Sequence, residues 1–386
     1  AYIKLALAGQ KIGLETLIVI EKTSEWAVIE KEATAMGLTP RLGVRVRLAS
    51  LGAGKWQNTG GERAKFGLSA HQLLALIESL KSSGKADWLK LLHFHMGSQI
   101  SNLRDIAKGA EEAARFFVAM AREGLSVEAL DIGGGLGVDY EGGGSRSYCS
   151  MNYSLKQYAQ TIAETLSKVC REANLSPPRL YSESGRALAA HHAVLITHVT
   201  ATESRPPLPT KSSETEQAHE ASQKLRQLLD QVDTLPPEEC FHEATYWLEE
   251  GKADFLKGAI NLTQRAQLEP LHAAVIDALQ AQLDVENDRH RKLRDQIRLM
   301  LSEKYFINLS IFQSLPDIWA IDQVFPIVPL ARLNEAPTHR AVLEDLTCDS
   351  DGRIDHYVDR GLLETTLAVH EIAPNERYLL GIFLAG

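Results

Sequence analysis

The sequence contains few cysteines and no long apolar run. The four cysteines among its 386 residues are Cys149, Cys170, Cys240 and Cys348. They are scattered and form no C-x-x-C pair, which argues against a disulfide framework and against a cysteine-rich zinc site. No apolar stretch approaches the roughly 18–20 residues that span a bilayer. We therefore expect a reduced, cytoplasmic protein that does not span a membrane.

The chain also lacks an excess of basic residues. Lys and Arg number 41 against 50 Asp and Glu, which gives a formal net charge of −9. Such a mixed, mildly acidic composition argues against nucleic acid or an anionic membrane as the main partner. Because 44% of the residues are hydrophobic, the chain can bury two or three separate cores.

Up to about residue 205, short β-rich apolar runs alternate with helical patterns. Two clear helices are SAHQLLALIESLKSSG and LRDIAKGAEEAARFFVAMAREG, the second closed by Gly124. This alternation implies parallel βαβ units, in a doubly wound sheet or a (β/α) barrel. We favour the barrel, because polar residues and glycines recur where successive strands end. The predicted strands are TLIVI, RLGVRVRL, LKLLHFHM, ALDIGG, RLYSES and AVLITHVTA.

A Pro/Ser/Thr-rich boundary follows at SRPPLPTKSSETEQ, residues 204–217. From 218 to about 305 the patterns are helical, with one helix expected over 244–266 and another over 271–306, which predicts a small inserted bundle. From about 306 the chain is β-like again, in FINLSIFQS, VFPIVPLA, HRAVLEDLTCDSDG and RYLLGIFLAG. We predict an α/β barrel domain over 1–204, a helical bundle over 205–305 and a C-terminal β domain over 306–386.

Two motifs at predicted strand ends could bind an anion. LDIGGGLGVDY places consecutive glycines directly after a strand, where backbone N–H groups can converge on a phosphate. It matches neither a Walker motif nor the Rossmann spacing, and a simple tight turn explains it equally well. In YSESGRA, Glu183 lies three residues before Arg186, and Arg with a glycine N–H suits phosphate. Taken alone, the same pair is more commonly a surface ion pair.

The stretch HFHMGSQI contains two histidines, His93 and His95, spaced two apart. In a strand they would point to the same face. They could form half of a zinc site, with His191 or His192 as a further ligand, or they could be core histidines. A third possibility is that an imidazole contacts a cofactor. Together with the two anion motifs, an aromatic phosphorylated cofactor such as pyridoxal phosphate explains most of the pattern.

The segment CDSDG, residues 348–352, combines a thiol with two acids. It lacks the spacing of an EF-hand and has no second cysteine for zinc, so we predict no metal site. A lone cysteine is usually buried and inert. Flanked by charges in a loop, Cys348 is expected to be exposed and reactive.

These motifs together resemble the alanine-racemase-like (fold type III) pyridoxal-phosphate decarboxylases, and most of all the bacterial biosynthetic arginine decarboxylases. The resemblance covers nearly the whole chain. It rests on RLGVRVRLASLGAGKW, KFGLSA, LLHFHMGSQI, DIGGGLGVDYEG, SESGRA, SIFQSLPDIWAIDQVFPIVPL and TCDSDGRIDHYVD. The helical insertion is also typical of that subfamily. The resemblance implies decarboxylation of L-arginine to agmatine and CO2 at the start of a polyamine (putrescine and spermidine) route. It also associates a Mg²⁺ requirement with the protein.

The resemblance implies a cofactor site formed by His95, Ser98, Gly134, Gly135, Glu183, Gly185 and Arg186. His95 would stack on the pyridine ring, while Glu183 would keep the ring nitrogen protonated. Ser98, the glycine N–H groups and Arg186 would hold the phosphate. His93 keeps the role of a core or supporting histidine.

The same resemblance implies a substrate site and a dimer. Asp322 and Asp349 would hold the distal cationic group of the substrate, and Cys348 would protonate the substrate carbon after CO2 leaves. In the family, the Cys-Asp loop completes the active site of the neighbouring subunit. We therefore expect a homodimer or higher oligomer with shared active sites.

The resemblance also implies that this chain lacks both ends of the family's fold. The lysine that binds the cofactor covalently would precede Ala1, and an active-site tyrosine would follow Gly386. About five of the eight barrel strands would be present, so we expect this piece alone to be inactive. Alternatives are a decarboxylase for lysine, ornithine, diaminopimelate or a carboxylated polyamine, a non-catalytic barrel homologue and, more distantly, a zinc hydrolase barrel.

Overall fold

The computed structural model describes residues 1–49, 64–204, 219–284 and 287–386. Residues 205–217 of the predicted boundary segment and residues 50–56 of the first resemblance motif lie outside them. The chain divides into two compact units, Ala1–Ala193 with Leu384–Gly386, and Val194–Phe383. Within the described ranges, no helix is both long enough and apolar enough to cross a membrane.

The first unit is built on strands β1 (Ile18–Ile20), β2 (Leu42–Arg45), β3 (Leu89–His93), β4 (Ala129–Asp131) and β5 (Arg179–Tyr181). All neighbouring pairs are parallel, and the strands lie side by side in the order of the sequence. Its helices are α1 (Tyr2–Lys11), α2 (Thr23–Met36), α3 (Ala70–Ser82), α4 (Leu103–Arg122), α5 (Leu155–Glu172) and α6 (Gly185–Ala189). A doubly wound sheet would reverse its strand order at a switch point, whereas a barrel keeps sequential order. The topology therefore confirms the barrel-type prediction.

Local sequence signals explain these elements. Ser69 caps α3 by accepting a hydrogen bond from the Gln72 N–H, and α4 ends just before Gly124 at φ +79°. Both helices match their predicted ranges closely. The strands supply an apolar core, in which Leu42, Leu92 and Leu130 have no exposed surface. Because neighbouring strands pair in parallel, their carboxyl ends lie at the same edge of the sheet.

The second unit contains the predicted helical bundle, formed by α7 (Glu220–Gln231), α8 (Pro237–Leu256), α9 (Leu262–Gln280) and α10 (Asp288–Met300). The sequence pattern reads through 244–266 and through 271–306 as single helices, and both readings are wrong. The first is broken because Gly258 adopts φ +74° and Asn261 caps α9 through the Gln264 N–H. The second is interrupted after Gln280.

The β region of the second unit contains β6 (Val194–Glu203), β7 (Glu303–Ile307), β8 (Ile327–Pro329), β9 (His339–Glu344), β10 (Arg353–Ile354), β11 (Tyr357–Asp359), β12 (Leu362–Glu364), β13 (Leu367–Val369) and β14 (Leu379–Phe383). Seven of these strands form one sheet, while β11 and β12 pair with each other. Strand β6 continues the alternating pattern of the first unit in sequence, but it pairs antiparallel with β14 and β7.

Two short helices lie within this β region, α11 (Ile311–Ser314) and α12 (Pro316–Ile321). The prediction that residues 306–314 are β-like is therefore wrong for its second half. The Asp345 carboxylate accepts a hydrogen bond from the Ile311 N–H over 2.8 Å, which satisfies a donor at the start of α11.

Candidate active site

Three connections meet at the carboxyl edge of the five-stranded sheet. His95 and Ser98 follow β3, the glycine turn 133–135 follows β4, and the segment 183–186 follows β5. Because β3, β4 and β5 are parallel neighbours, these connections lie side by side. The sequence-predicted cofactor residues are therefore brought together at one end of the sheet.

The glycine turn packs closely against the connection after β3. Gly133 and Gly135 adopt φ +64° and +112°, a region that other residues rarely enter. A Cβ on Gly133 would lie 2.5 Å from the Phe94 carbonyl oxygen, and one on Gly135 would lie 2.6 Å from Ile100 Cδ1. These two glycines are thus needed to form the turn, whatever it binds.

His95 is fixed by this turn. Its Nδ1 accepts a hydrogen bond from the Gly134 N–H over 3.1 Å, so the ring proton of the neutral imidazole is on Nε2. Partial burial, followed by the charges of Arg45 and His93, lowers the pKa of His95. The site therefore presents a neutral, flat imidazole. The Gly134 N–H, which the resemblance assigns to phosphate, donates to His95 in this structure.

His93 has a different environment from His95. Strand β3 ends at His93, so the expectation that both histidines point from one strand face does not apply. His93 is buried, and its Nδ1 lies 3.1 Å from Asp131 Oδ2 at the end of the neighbouring strand. This geometry matches the role of a supporting histidine. In the described part of the chain, one cluster of three potential metal ligands occurs, His93, Asp131 and Glu183, and it does not include His95.

The segment after β5 is anchored to the glycine turn. The Glu183 N–H donates to the Gly133 carbonyl over 2.8 Å, and a Cβ on Gly134 would lie 3.0 Å from the Glu183 carbonyl oxygen. Partial burial and the nearby Asp131 carboxylate raise the pKa of Glu183. The Glu183 side chain nevertheless keeps contact with solvent at the open edge.

Arg186 and Gly185 complete this group. Arg186 Nη1 donates to the Tyr140 hydroxyl over 3.2 Å, and its guanidinium lies 5.8 Å from the centre of the Tyr140 ring. The Gly185 N–H donates to the Glu183 carbonyl, and a Cβ on Gly185 would meet open space. Ser98 is partly buried.

Sequence reasoning missed three supporting residues. Asp131, Tyr140 and Gln99 are all buried. The Gln99 side chain donates to the Val138 carbonyl over 2.6 Å and accepts from the Val138 N–H over 2.9 Å, which joins two of the connections. Asp131 could have been suspected, because a buried acid at a strand end just before a glycine turn requires partners. Nothing in the sequence singles out Tyr140 or Gln99.

The second unit contains a separate acidic cavity of about 290 Å³. Three of its lining residues are carboxylates, Asp322, Asp351 and Asp355, and Trp319 adds an aromatic face. Asp355 is paired with Arg353 over 2.9 Å. Asp349, which the resemblance assigns to the substrate, is exposed and does not line this cavity, whereas Asp351 does.

The loop that carries Cys348 is held by Asp345. Asp345 accepts a hydrogen bond from the Thr347 N–H, and its own N–H donates to the Gly352 carbonyl over 2.7 Å. Cys348 is exposed on this loop, as predicted, while the other three cysteines are buried.

Comparison with known proteins identifies the domains that carry these groups. Residues 1–190 match the family model "Pyridoxal-dependent decarboxylase, pyridoxal binding domain". Residues 215–298 match the model "Arginine decarboxylase helical bundle domain". The chain belongs to the pyridoxal-dependent decarboxylases. The predicted family and barrel-type fold are thereby confirmed.

Relatives within the pyridoxal-dependent decarboxylases match along the whole chain. A biosynthetic arginine decarboxylase from Xanthomonas campestris pv. campestris is 50% identical, and one from Marinobacter nauticus is 47% identical. Each comparison covers 100% of this chain and 61% of the relative, so the chain spans about three-fifths of their length.

Solved structures of pyridoxal-dependent decarboxylases show the same fold. The biosynthetic arginine decarboxylase from Campylobacter jejuni superposes with a TM-score of 0.78 at 29% identity, covering 100% of this chain and 60% of that one. A diaminopimelate decarboxylase from Helicobacter pylori gives 0.59 at 16% identity, with coverages of 100% and 65%. The second likeness, at this low identity, indicates the fold alone.

The residues at the carboxyl edge fit pyridoxal phosphate chemically. A neutral imidazole suits the face of a cationic ring better than an imidazolium would, because like charges repel. Glu183 is a carboxyl that can pair with a ring nitrogen, and Arg186 provides a fork of donors for phosphate. All of these groups lie on connections that the sheet holds at one edge.

Proposed function

We propose that the full-length protein is a pyridoxal-phosphate-dependent decarboxylase that converts L-arginine to agmatine and CO2. The observation that carries the proposal is His95, a neutral imidazole fixed by Gly134 next to Glu183. This group lies in a chain that also matches the arginine decarboxylase bundle. Agmatine formation would begin a route to polyamines in the cytoplasm.

In this proposal the first unit holds the cofactor. His95 bounds one face of the ring, Glu183 pairs with the ring nitrogen, and Arg186 with Ser98 and the backbone of Gly135 holds the phosphate. The N–H groups of Gly134 and Gly185, which the resemblance also assigns to the phosphate, instead donate to His95 and to the Glu183 carbonyl. When bound, the cofactor supplies an electron sink for the carbanion that remains after CO2 leaves. Glu183 sustains this role by stabilising a positive charge on the ring nitrogen.

The second unit recognises the substrate. A guanidinium is planar and cationic, and it pairs well with carboxylates and with aromatic faces. Asp322 and Asp351 line the acidic cavity beside Trp319, whose ring packs edge-to-face on Phe312 at 5.6 Å. We assign Asp322 and Asp349 to the distal cationic group, as the resemblance implies, and add Asp351 because it lines the cavity.

Cys348 is the proposed acid that protonates the substrate carbon. Its exposure on the loop suits a thiol that acts in the site of a second subunit of a homodimer. Mixing a Cys348→Ala subunit with a Glu183→Ala subunit tests this arrangement. Mixed dimers should regain about a quarter to a half of normal activity by subunit statistics, and absence of rescue would refute a shared site.

We further propose the division into a barrel over 1–204, a bundle over 205–305 and a β domain over 306–386, except that β6 (Val194–Glu203) joins the β domain, because it pairs with β14 and β7. The matches over 1–190 and 215–298 support the first two parts. A magnesium requirement is also proposed from the resemblance alone, and dialysis against EDTA followed by Mg²⁺ addition tests it.

The substrate assignment is tested by initial rates with L-arginine, L-lysine, L-ornithine and meso-diaminopimelate, followed by mass spectrometry of the amines. We expect arginine to have the largest kcat/KM. Asp322→Asn should lower it about 10- to 100-fold, the effect of losing one hydrogen bond to a charged group. Asp317→Asn, on α12 but outside the cavity, is the matched control. A preference for another substrate would support the alternative decarboxylases, and no turnover with cofactor bound would support a non-catalytic homologue.

A further inference from the structure

One buried carboxylate joins the two parts of the chain that lead to the acidic cavity. The residues that line the cavity come from 318–323 on one side and from 351–356 on the other. Asp345, which is 5% exposed, lies outside the lining. Its Oδ2 accepts a hydrogen bond from the Ile311 N–H over 2.8 Å, at the start of α11 and before the first side. Its Oδ1 accepts one from the Thr347 N–H over 2.8 Å, in the loop before the second side.

Asp345 also closes the loop that carries Cys348. The hydroxyl of Thr347, the residue before Cys348, donates a second hydrogen bond to Asp345 Oδ1. The Asp345 N–H donates to the Gly352 carbonyl over 2.7 Å, and the Gly352 N–H donates to the Asp349 carbonyl over 3.0 Å. A Cβ on Gly352 would overlap the Asp345 carboxylate, so glycine is needed at this position. Cys348 and Asp349 thus lie on a turn that contacts Asp345 at both of its ends.

This arrangement needs a carboxylate at position 345. Burying a carboxylate costs free energy unless donors compensate it, and here three N–H or O–H groups do so on its two oxygens. Asparagine has one acceptor oxygen and one NH2, so its NH2 would face either the Ile311 N–H or the Thr347 donors. The backbone adds one longer link between the same parts of the chain, from the Leu346 N–H to the Leu309 carbonyl over 3.3 Å. The shorter, charge-assisted link is therefore Asp345.

We propose that Asp345 is a positioning residue that holds the loop 346–352 against the start of α11 and thereby sets where the Cys348 thiol delivers its proton. This inference rests on the proposed function, in which Cys348 protonates the substrate carbon after CO2 leaves. In that step the S–H bond breaks and its electron pair stays on sulfur, while the electron pair of the carbanion forms the new C–H bond. The thiol must therefore be held close to one particular carbon.

The position of the thiol decides which product forms. When the cofactor is bound, the carbanion charge is shared between the substrate carbon and a carbon of the cofactor. A proton on the substrate carbon gives agmatine. A proton on the cofactor carbon, followed by hydrolysis, gives the corresponding aldehyde, so the substrate carbon is oxidised while the cofactor keeps the amino group and is reduced to its amine. Loss of Asp345 should therefore raise the share of aldehyde, which a general loss of stability would not do.

Mass spectrometry of the products that full-length protein with bound cofactor forms from L-arginine tests this role. Asp345→Asn should lower kcat about 10- to 100-fold, the cost of a misplaced reacting group, and should raise the share of aldehyde. Its Kd for pyridoxal phosphate should equal that of wild type, because the proposed cofactor residues belong to the first unit. Thr347→Val removes only the hydroxyl donor and should change kcat and the aldehyde share in the same direction by less. Thr347→Ser keeps the hydroxyl and should match wild type.

Hydrogen exchange of the same full-length proteins measures the link without any turnover. Asp345→Asn should speed exchange in peptides 309–315 and 346–352 together, whereas Thr347→Val should speed it in the second peptide alone. If Asp345→Asn does not fold, the two Thr347 variants still decide the product test.

Two results would overturn the role of Asp345. One is a wild-type aldehyde share in both Asp345→Asn and Thr347→Val, even if kcat falls. The other is faster exchange in only one of the two peptides of Asp345→Asn. Failure of wild type to form agmatine, or wild-type turnover by Cys348→Ala, would instead refute the proposed function.

Discussion

The Nδ1 atom of His95 accepts a hydrogen bond from the backbone N–H of Gly134. This single contact joins the connections after β3 and β4, and it fixes both the tautomer and the plane of the imidazole. The close packing of the two connections also explains why a glycine turn follows β4. A Cβ on Gly133 would lie 2.5 Å from the carbonyl oxygen of Phe94, the residue before His95.

Removing the His95 ring should weaken cofactor binding without unfolding the protein. Aromatic ring contacts contribute about 0.5–1.5 kcal/mol, so His95→Ala should raise the Kd for pyridoxal phosphate about 2- to 12-fold. His95→Phe keeps a flat ring and should lose less. Fluorescence titration measures the Kd, and His71→Ala, an exposed change on α3, is the control. Unchanged affinity in His95→Ala would exclude the ring contact.

Tyr140 should act through Arg186. Tyr140→Phe keeps the buried ring beneath the guanidinium and removes only the hydroxyl that accepts from Arg186 Nη1. The loss of one hydrogen bond costs about 0.5–1.5 kcal/mol, which predicts a 2- to 12-fold rise in the Kd for pyridoxal phosphate. The affinity for pyridoxal without phosphate should not change. Equal losses for both compounds would indicate a general distortion.

Much of this site follows from the sequence, and some of it does not. Gly124 ends α4 as predicted, because a left-handed residue closes a helix through local rules alone. The break at Gly258 was missed, since the apolar pattern continues on both sides of it. Asp131 lies beside Glu183, which is 52 positions further along the chain. Tyr140 accepts a hydrogen bond from Arg186, which is 46 positions further along. Only the fold brings such pairs together.

Cys348 should be the one cysteine that reacts quickly with iodoacetamide. It is exposed, whereas burial surrounds the other three thiols and raises the pKa of Cys170 and Cys240. Mass spectrometry of protein treated briefly should show one label, lost in Cys348→Ser and kept in Cys170→Ala. Labelling should stop turnover if Cys348 is the proton donor. Full activity after complete labelling would contradict that role.

The bundle should lose stability in mild acid because of His272. Burial, and then Lys252, lowers the pKa of His272 from 6.5 to about 4, and its Nε2 has no hydrogen-bond partner within the described residues. Between these two pKa values the unfolded state binds more protons than the folded state, so the stability of the folded bundle rises with pH. It is lost as the pH falls from 6.5 toward 4, by about 3 kcal/mol in total.

Hydrogen exchange of peptides from α9 at pH 4.5, 5.5 and 7.5 measures this loss. His272→Leu should make the protection of α9 nearly independent of pH, whereas His242→Gln, an exposed change on α8, should behave as wild type. If His272→Leu keeps the full pH dependence, another group is responsible.

The central claim is tested most directly by supplying full-length protein with pyridoxal phosphate and L-arginine labelled with ¹³C at the carboxyl carbon, in D2O. The account predicts equal amounts of ¹³CO2 and agmatine, with one solvent deuterium on the carbon that lost the carboxyl group, and almost no product from Glu183→Ala. Retention of the ¹³C label in arginine by a protein that binds the cofactor would contradict the account.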